Sequence, residues 1–259
     1  MFANERQNKI LSIIKKNHTV TTAELMRIFN ISNETARRDL SALEEKGLLS
    51  RVHGGAIALD EMMPVEDLSH RIEDNKDGKA ELSETAAELI NNNDIIAVDC
   101  GATTNYFAKA LKKRFSKLTV ITHSIDVFNI LSPVDSFDVM LCGGNFLKSE
   151  NAFYGQLAID TLKKLHVQKA FICPAAISFR NGICDYNHAL YQMQLHMMQC
   201  ADSLYCIADS NKFEKNAMYK ISDMNNSFTY ITDSGLEEKH KQFYIDNNLT
   251  VITGKEDLK

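Results

Sequence analysis

The run Ser32-Asn-Glu-Thr-Ala-Arg-Arg-Asp-Leu40, followed by Arg51-Val-His-Gly-Gly-Ala56, holds the most chemistry in this 259-residue chain. Ser32 has the side chain of a helix N-cap, an oxygen that accepts a hydrogen bond from a free N–H of the first turn. Ala36, Leu40 and Leu43 recur at helical spacing and are expected to pack inward, which turns Thr35, Arg37 and Arg38 outward. An exposed helix that leads with arginines suits the DNA major groove, where a guanidinium binds guanine bidentately or holds a phosphate. Arg51 and His53 sit on a β-branched and apolar segment split by Gly54-Gly55, in position to meet the phosphate backbone or the minor groove. With Thr22 and Asn33 added, the DNA-contact candidates are Thr22, Ser32, Asn33, Thr35, Arg37, Arg38, Arg51 and His53. The bland alternative is a solvated helix face, with the arginines paired to Glu34 or Asp39.

A second set of candidates follows short apolar stretches further along. Asp99-Cys-Gly-Ala-Thr-Thr104 comes where a strand pattern gives way to a helix pattern. Free N–H groups and the Thr103 and Thr104 hydroxyls there would cup an anion, favoured by the helix dipole. Thr122-His-Ser124 and Gly143-Gly144 follow the next two strands, and Asp209 and Lys212 follow a later one. Lys212 offers a cation to an anionic group and Asp209 an acceptor to hydroxyl or N–H donors. The effector-site candidates are Asp99, Gly101, Thr103, Thr104, Thr122, His123, Ser124, Gly143, Gly144, Asp209 and Lys212. Their bland alternative is helix capping and charge pairing at a sheet edge.

The elements needed to position these groups are legible. Residues 3–17 carry an apolar stripe of Ile10, Leu11, Ile13 and Ile14. Thr21-Thr22-Ala-Glu24 begins a second helix, and the Ser32 helix runs to about Lys46, with Gly47 as its stop. Leu48 to Leu59 then reads as a two-stranded wing, completing a winged helix-turn-helix over 1–59. Residues 60–78 are charged and without a strong repeat, a linker or connecting helix. Over 79–259, apolar strands (95–98, 119–122, 139–142, 170–173, 204–208, 230–232 and 250–252) alternate with helical stretches. That is the pattern of a mainly parallel sheet with helices on both faces. The expected class is therefore α/β: a small winged head followed by a Rossmann-like body.

Residues 1–59 hold nine basic and six acidic residues, and the remainder twenty and twenty-eight, within a net charge of −5. A basic head on an acidic body suits DNA contact by the head alone. No apolar run approaches the roughly 20 residues of a membrane span, and the start lacks the layout of a secretory signal. The six cysteines form no C-x-x-C pair and read as reduced, buried thiols, with a redox switch as the less common alternative. His188 and His196 lack metal-ligand spacing, and Met193, Met197 and Met198 suit core packing. The expectation is a cytoplasmic protein with no metal and no cofactor.

Both halves resemble the DeoR family of bacterial transcriptional regulators. Thr35-Ala-Arg-Arg-Asp-Leu40, Leu43-Glu44, Gly47 and Arg51-Val-His-Gly-Gly-Ala56 follow the family's helix-turn-helix signature. Asp99-Cys-Gly-Ala-Thr-Thr104, Thr122-His-Ser124, Gly143-Gly144, Tyr154-Gly155, Asn181-Gly182 and Ala208-Asp-Ser-Asn-Lys-Phe213 fall in its order. The resemblance implies a sensor domain folded like ribose-5-phosphate isomerase, and a repressor of carbohydrate-use operons that leaves double-stranded operator DNA when a phosphorylated sugar binds. Four departures stand out: Ala102 for a threonine, His123 for an asparagine, Lys169 for an aspartate, and Met193-Gln194-Leu195 for a basic Val-Lys-Arg segment. They leave two alternatives to a working sugar-phosphate sensor: a site retuned to another signal, or one lost. A sugar-phosphate isomerase is the remote alternative, with Asp99 as its base; the expectation is no enzyme. A single head buries little surface, so a homo-oligomer assembled through the body is also expected.

Overall fold

The chain divides into two compact units, Met1–Glu61 and Met62–Lys259. The computed structural model describes residues 3–17, 19–52, 54–58, 61–62 and 66–258, without the side chains of 16, 17, 61, 62 and 258. His53, Leu59 and Asp60, which bear on the wing contact and the domain boundary, lie outside the described residues.

In the first unit, α1 (Ala3–Asn17), α2 (Thr22–Phe29) and α3 (Asn33–Glu45) enclose Ile10, Ile14, Leu25, Ala36, Leu40 and Leu43, all buried. Local chemistry fixes each end. Thr21 caps α2 in a reciprocal box: its hydroxyl accepts from the Glu24 N–H at 3.1 Å while Glu24 accepts from the Thr21 N–H at 2.8 Å. Ser32 caps α3, its Oγ accepting from the Thr35 N–H at 3.2 Å. Gly47, at φ +66°, closes α3: its own N–H donates to Glu44 O, and the Leu48 N–H reaches Leu43 O at 3.0 Å. The wing is an antiparallel pair, Ser50–Val52 with Gly55–Ile57. A third strand, Thr19–Thr21, pairs with Gly55–Ile57, which the sequence pattern did not indicate. Gly55 is required there, because a Cβ would stand 2.1 Å from Val20 O.

The second unit is built on seven parallel strands in the spatial order Thr250–Ile252, Phe228–Ile231, Ala201–Ile207, Val167–Ile172, Ile95–Val98, Thr119–Thr122, Asp138–Leu141. Two apolar clusters cover its two faces, one around Ala97, Ile172, Met193 and Tyr230, the other around Val98, Phe107, Phe171 and Ile207. Phe171 lies between the rings of Phe107 and Tyr205 at centroid distances of 4.7 and 4.8 Å. The chain starts the sheet at Ile95–Val98, winds outward to Asp138–Leu141, then returns to the other side with Val167–Ile172. The switch in winding direction therefore falls between the strand ends that carry Asp99 and Cys173, where ligands of open α/β sheets bind. The stretch read as a linker or connecting helix contains α4 (Leu68–Glu73) and the first residues of α5 (Lys76–Ala87). After them come α6 (Ala102–Arg114), α7 (Ile125–Leu131), α8 (Gln156–Leu162), α9 (His188–Gln199) and α10 (Glu238–Asp246).

Candidate functional sites

Between α3 and the wing lies a cleft of about 300 Å³ lined by Thr22, Asn33, Arg37, Leu40, Arg51, Val52, Gly54 and Gly55. Asn33 and Arg37 are exposed on its helix side. Arg38 is exposed as well, 4.0 Å from Glu34 one turn earlier. Four candidates, Thr22, Ser32, Thr35 and Arg51, are already engaged within the head. The Thr22 hydroxyl donates to Gly54 O at 3.0 Å and so fixes the wing turn. Thr35 is half-buried with its hydroxyl 3.0 Å from Ser32 Oγ. Arg51 donates to Ser41 Oγ at 2.7 Å, while its N–H binds Glu44 at 2.8 Å. These bonds tie the wing to both helices of the turn. The pairing of Arg37 or Arg38 with Asp39 does not occur. Asp39 is buried and holds Arg6 of α1 at 2.5 and 3.1 Å, an attachment of the recognition helix that the sequence reading missed.

In the second unit a cavity of about 190 Å³ is lined by Glu66, Arg71, Asp74, Lys79, Ala102, Asp209, Asn211 and Lys212. Of the effector-site candidates it contains Asp209 and Lys212; Gly101 adjoins it through Ala102, the first residue of α6. Gly101 offers no side-chain cap, so early N–H groups of α6 point from this end. Three cations converge on the cavity, two of them from the presumed linker and the helix that follows it. Arg71 donates to both oxygens of buried Glu150 at 2.6 Å. Lys79, 2 % exposed, pairs with Asp209 at 3.1 Å and donates to Asp74 O at 2.6 Å. Lys212 donates to Pro174 O at 3.1 Å, with Cys173 Sγ at 3.9 Å. Burial pulls the Lys212 pKa down, yet Cys173 and Asp209 outweigh it and leave it raised. Lys79 carried a sequence signal: it shares a helical face with Leu82 and Ala86, and a lysine on an apolar face needs a buried partner.

The remaining candidates lie elsewhere. Asp99 is fully buried and its carboxylate is engaged on both oxygens. Oδ1 meets the Cys100 N–H and His123 Nε2, each at 2.8 Å; Oδ2 meets the Cys173 N–H and Gln194 Nε2, each at 2.9 Å. His123 Nδ1 donates to Phe153 O at 2.8 Å. Asp99 thus joins two strand ends, α9 and a hairpin (Asn145–Leu147 with Ala152–Tyr154), and is a structural hub in place of the expected ligand contact. His123 and Gln194, two of the four departures, meet on this one carboxylate. A third, Lys169, pairs with Asp94. Thr103 and Thr104 are buried, and the Thr104 hydroxyl donates back to Gly101 O at 2.9 Å instead of cupping an anion. Thr122 Oγ1 accepts from the Ser124 N–H at 3.1 Å, and Ser124 caps α7 through the Val127 N–H at 3.2 Å. Gly143 is exposed; Gly144 is packed where a Cβ would meet Tyr154 O at 2.4 Å.

Two titrations matter here. Burial raises the Asp185 pKa to about 7, opposed by the Asn187 N–H and reinforced by nearby Asp99. Burial also pushes up the thiols, Cys142 to about 11 and Cys100 well above its usual range. All six cysteines are buried, so packing accounts for them better than redox chemistry. Among the described residues, Asp99, Cys100 and His123 have donor atoms within 4.8 Å of one another. Their hydrogen bonds and the protonated thiol make this a poor cation site as it stands.

Residues 6–62 match the DeoR-like helix-turn-helix domain, and residues 74–234 match the DeoR C terminal sensor domain. The chain belongs to the DeoR family of transcriptional regulators. It is 33% identical over 237 residues to the uncharacterised HTH-type transcriptional regulator YulB of Bacillus subtilis (strain 168), covering 92% of this chain and 91% of that one. It is 34% identical over 242 residues to the lactose phosphotransferase system repressor of Lactococcus lactis subsp. lactis, covering 93% and 94%. It is 31% identical over 233 residues to the HTH-type transcriptional repressor GlcR of Bacillus subtilis (strain 168), covering 90% and 89%. A ribose 5-phosphate isomerase structure with bound phospho-erythronic acid aligns with TM-score 0.41 at 14% identity, over 53% of this chain and 54% of that one. This DeoR-family chain is a sequence-specific DNA-binding transcriptional regulator, and no helix among its described residues is long and apolar enough to cross a membrane.

Proposed function

We propose that this regulator represses a carbohydrate-use operon and leaves its operator when a phosphorylated sugar fills the cavity beside Ala102. The observation that carries the reading is the convergence of Arg71, Lys79 and Lys212 on a sugar-sized cavity at the uncapped start of α6. Asp209, Asp74 and Asn211 supply acceptors and a donor for hydroxyls on the same walls. Two of the relatives are named as a lactose phosphotransferase system repressor and an aga operon repressor, which favours a sugar signal. On the DNA side, Asn33 and Arg37 read base edges while the wing turn approaches the backbone. The regulator works as a cytoplasmic homo-oligomer without catalysis. Asp99, the base an isomerase would need, has no lone pair turned toward the cavity, since both oxygens are already hydrogen-bonded.

Thermal unfolding of the protein against a panel of phosphorylated and free sugars tests this. An effector present at about 100 times its Kd adds about 2.7 kcal/mol of stability. A shift with a phosphorylated sugar that disappears in Lys212→Ala supports the reading. No shift across the panel overturns the sugar-phosphate assignment, and turnover of any sugar phosphate overturns the absence of catalysis.

A further inference from the structure

The two edges of the seven-stranded sheet are finished differently. At Thr250–Ile252 the chain folds back over its own edge: Val251 and Ile252 are buried, and Asp257 accepts from the Thr253 N–H at 2.8 Å and holds Lys241. At Asp138–Leu141 nothing comparable happens. Along that strand exposed residues alternate with half-buried ones, and among the described residues no strand pairs with its outer side. The Asp138 and Cys142 N–H groups turn inward to Leu118 O and Thr122 O at 2.9 and 2.7 Å. Strand alternation therefore turns the N–H and C=O groups of Val139 and Leu141 outward. An open edge templates pairing with another strand, and proteins normally blunt it with lysine, proline, a bulge or a covering element. Asp138-Val-Met-Leu141 has no lysine, proline or bulge. Three large apolar side chains of this part of the chain are exposed: Met140 on the strand is 45% exposed, Phe146 on the hairpin that follows 52%, and Leu157 at the start of α8 72%.

We propose that this edge is the interface between two copies of the chain, paired strand to strand in antiparallel sense about a two-fold axis through Met140. In that register Val139 of each copy exchanges both of its outward backbone bonds with Leu141 of the other. Met140 meets Met140, and each Asp138 faces Cys142 and not its own copy, so no like charges oppose one another. The contact is self-complementary, as a two-fold interface requires. A strand pair alone buries too little for a lasting dimer, for which about 1,200–2,000 Å² is usual, so the interface has to extend beyond the strand, for which exposed Phe146 and Leu157 are the apolar candidates. A second copy is the occupant because the proposal rests on the repressor reading above: one winged head has too small a footprint for operator affinity, and a two-fold pair presents two heads to two half-sites.

Sedimentation of the full chain tests the interface through three variants. Val139→Pro deletes one outward N–H and leaves the chain's own sheet bonds intact. Met140→Lys sets like charges on the axis. Met140→Cys creates an exposed thiol in a protein whose six native cysteines are buried. The parent is expected to sediment as a dimer, the first two variants as folded monomers, and Met140→Cys as a disulfide-linked dimer after mild oxidation. A parent that stays monomeric overturns the proposal. So does a dimer that persists in both breaking variants while Met140→Cys fails to cross-link. Each sample is also titrated with duplexes enriched by the parent from a random pool. Monomeric variants should bind paired half-sites on the order of 100-fold more weakly than the parent, with single half-site binding unchanged. If the parent enriches no duplex at all, the DNA-binding reading fails, and the oligomer result still judges the edge separately.

Discussion

In the head, Arg37 and Arg38 stand in solvent, and Arg38 comes only within 4.0 Å of Glu34. In the body, Arg71 is bound to Glu150, Lys79 to Asp209, and Lys212 to the Pro174 carbonyl. The same residue types are thus held in two ways. Exposed cations keep their hydration until a phosphate displaces it, and they retain long reach, which suits a polyanion of uniform charge spacing. Buried cations are already desolvated and held rigidly by carboxylates. The cavity walls balance Arg71, Lys79 and Lys212 against Glu66, Asp74 and Asp209. A ligand there has to rearrange existing pairs, so it is selected by fit as well as by charge.

The comparison breaks most visibly at Lys79. Lys79→Met removes one member of a pair in which both side chains are 2% exposed, leaving Asp209 charged and buried. The expected loss of stability is about 3–5 kcal/mol, read from chemical denaturation of the parent and the variant. A loss below about 1 kcal/mol would show this pair to be as weak as a surface one.

The next effect is a pH dependence confined to the body. The Asp185 pKa of about 7 in the folded chain lies above the ordinary carboxylate value, mainly through burial. The folded state therefore binds this proton more tightly than the unfolded chain does. The resulting stability is complete below about pH 4, declines as pH rises, and is gone above pH 7. Asp185→Asn removes the penalty of the buried charge. The variant should gain on the parent as pH rises from 5 to 8, by about 2–3 kcal/mol. Equal melting differences at both pH values would remove Asp185 from the account.

What was legible in the sequence followed the range of the interactions involved. The caps at Thr21, Ser32 and Gly47 close within a few residues and could be read from types and spacing. The central strands of the sheet could be read too, because a strand covered on both faces is apolar throughout. Arg71 could not, since its partner Glu150 lies 79 residues away and α4 has no buried residue to give it a pattern. Asp99 misled because a carboxylate at a strand end looks available. Its engagement depends on N–H groups from Cys173 and Gln194, 74 and 95 residues further on. Short-range chemistry located the recognition helix residue by residue, whereas the cavity emerged only from contacts between distant segments.

The exposed side of the comparison gives smaller effects. Arg37→Ala should cost about 1–3 kcal/mol of binding to an enriched duplex if the guanidinium reads a base, with a smaller loss on random DNA. Equal losses on both, measured by fluorescence anisotropy at one salt concentration, would place Arg37 on phosphate.

Arg38 gives the smallest effect and the sharpest contrast with Lys79. Its pair with Glu34 is an i, i+4 contact in which both side chains are about four-fifths exposed. Such pairs contribute at most about 0.5 kcal/mol, so Glu34→Gln should leave the unfolding transition almost unmoved. The same change takes a negative charge away from the first turn of α3, where DNA would approach. Affinity for any duplex should therefore rise modestly, and the gain should shrink as salt is added. Arg38→Ala should lower affinity on all sequences alike and flatten the slope of log K against log salt by about one. If Arg38→Ala left that slope unchanged, the arginine would be a solvated helix charge, and the head's electrostatic contact with DNA would have to be assigned to Arg37 and the wing.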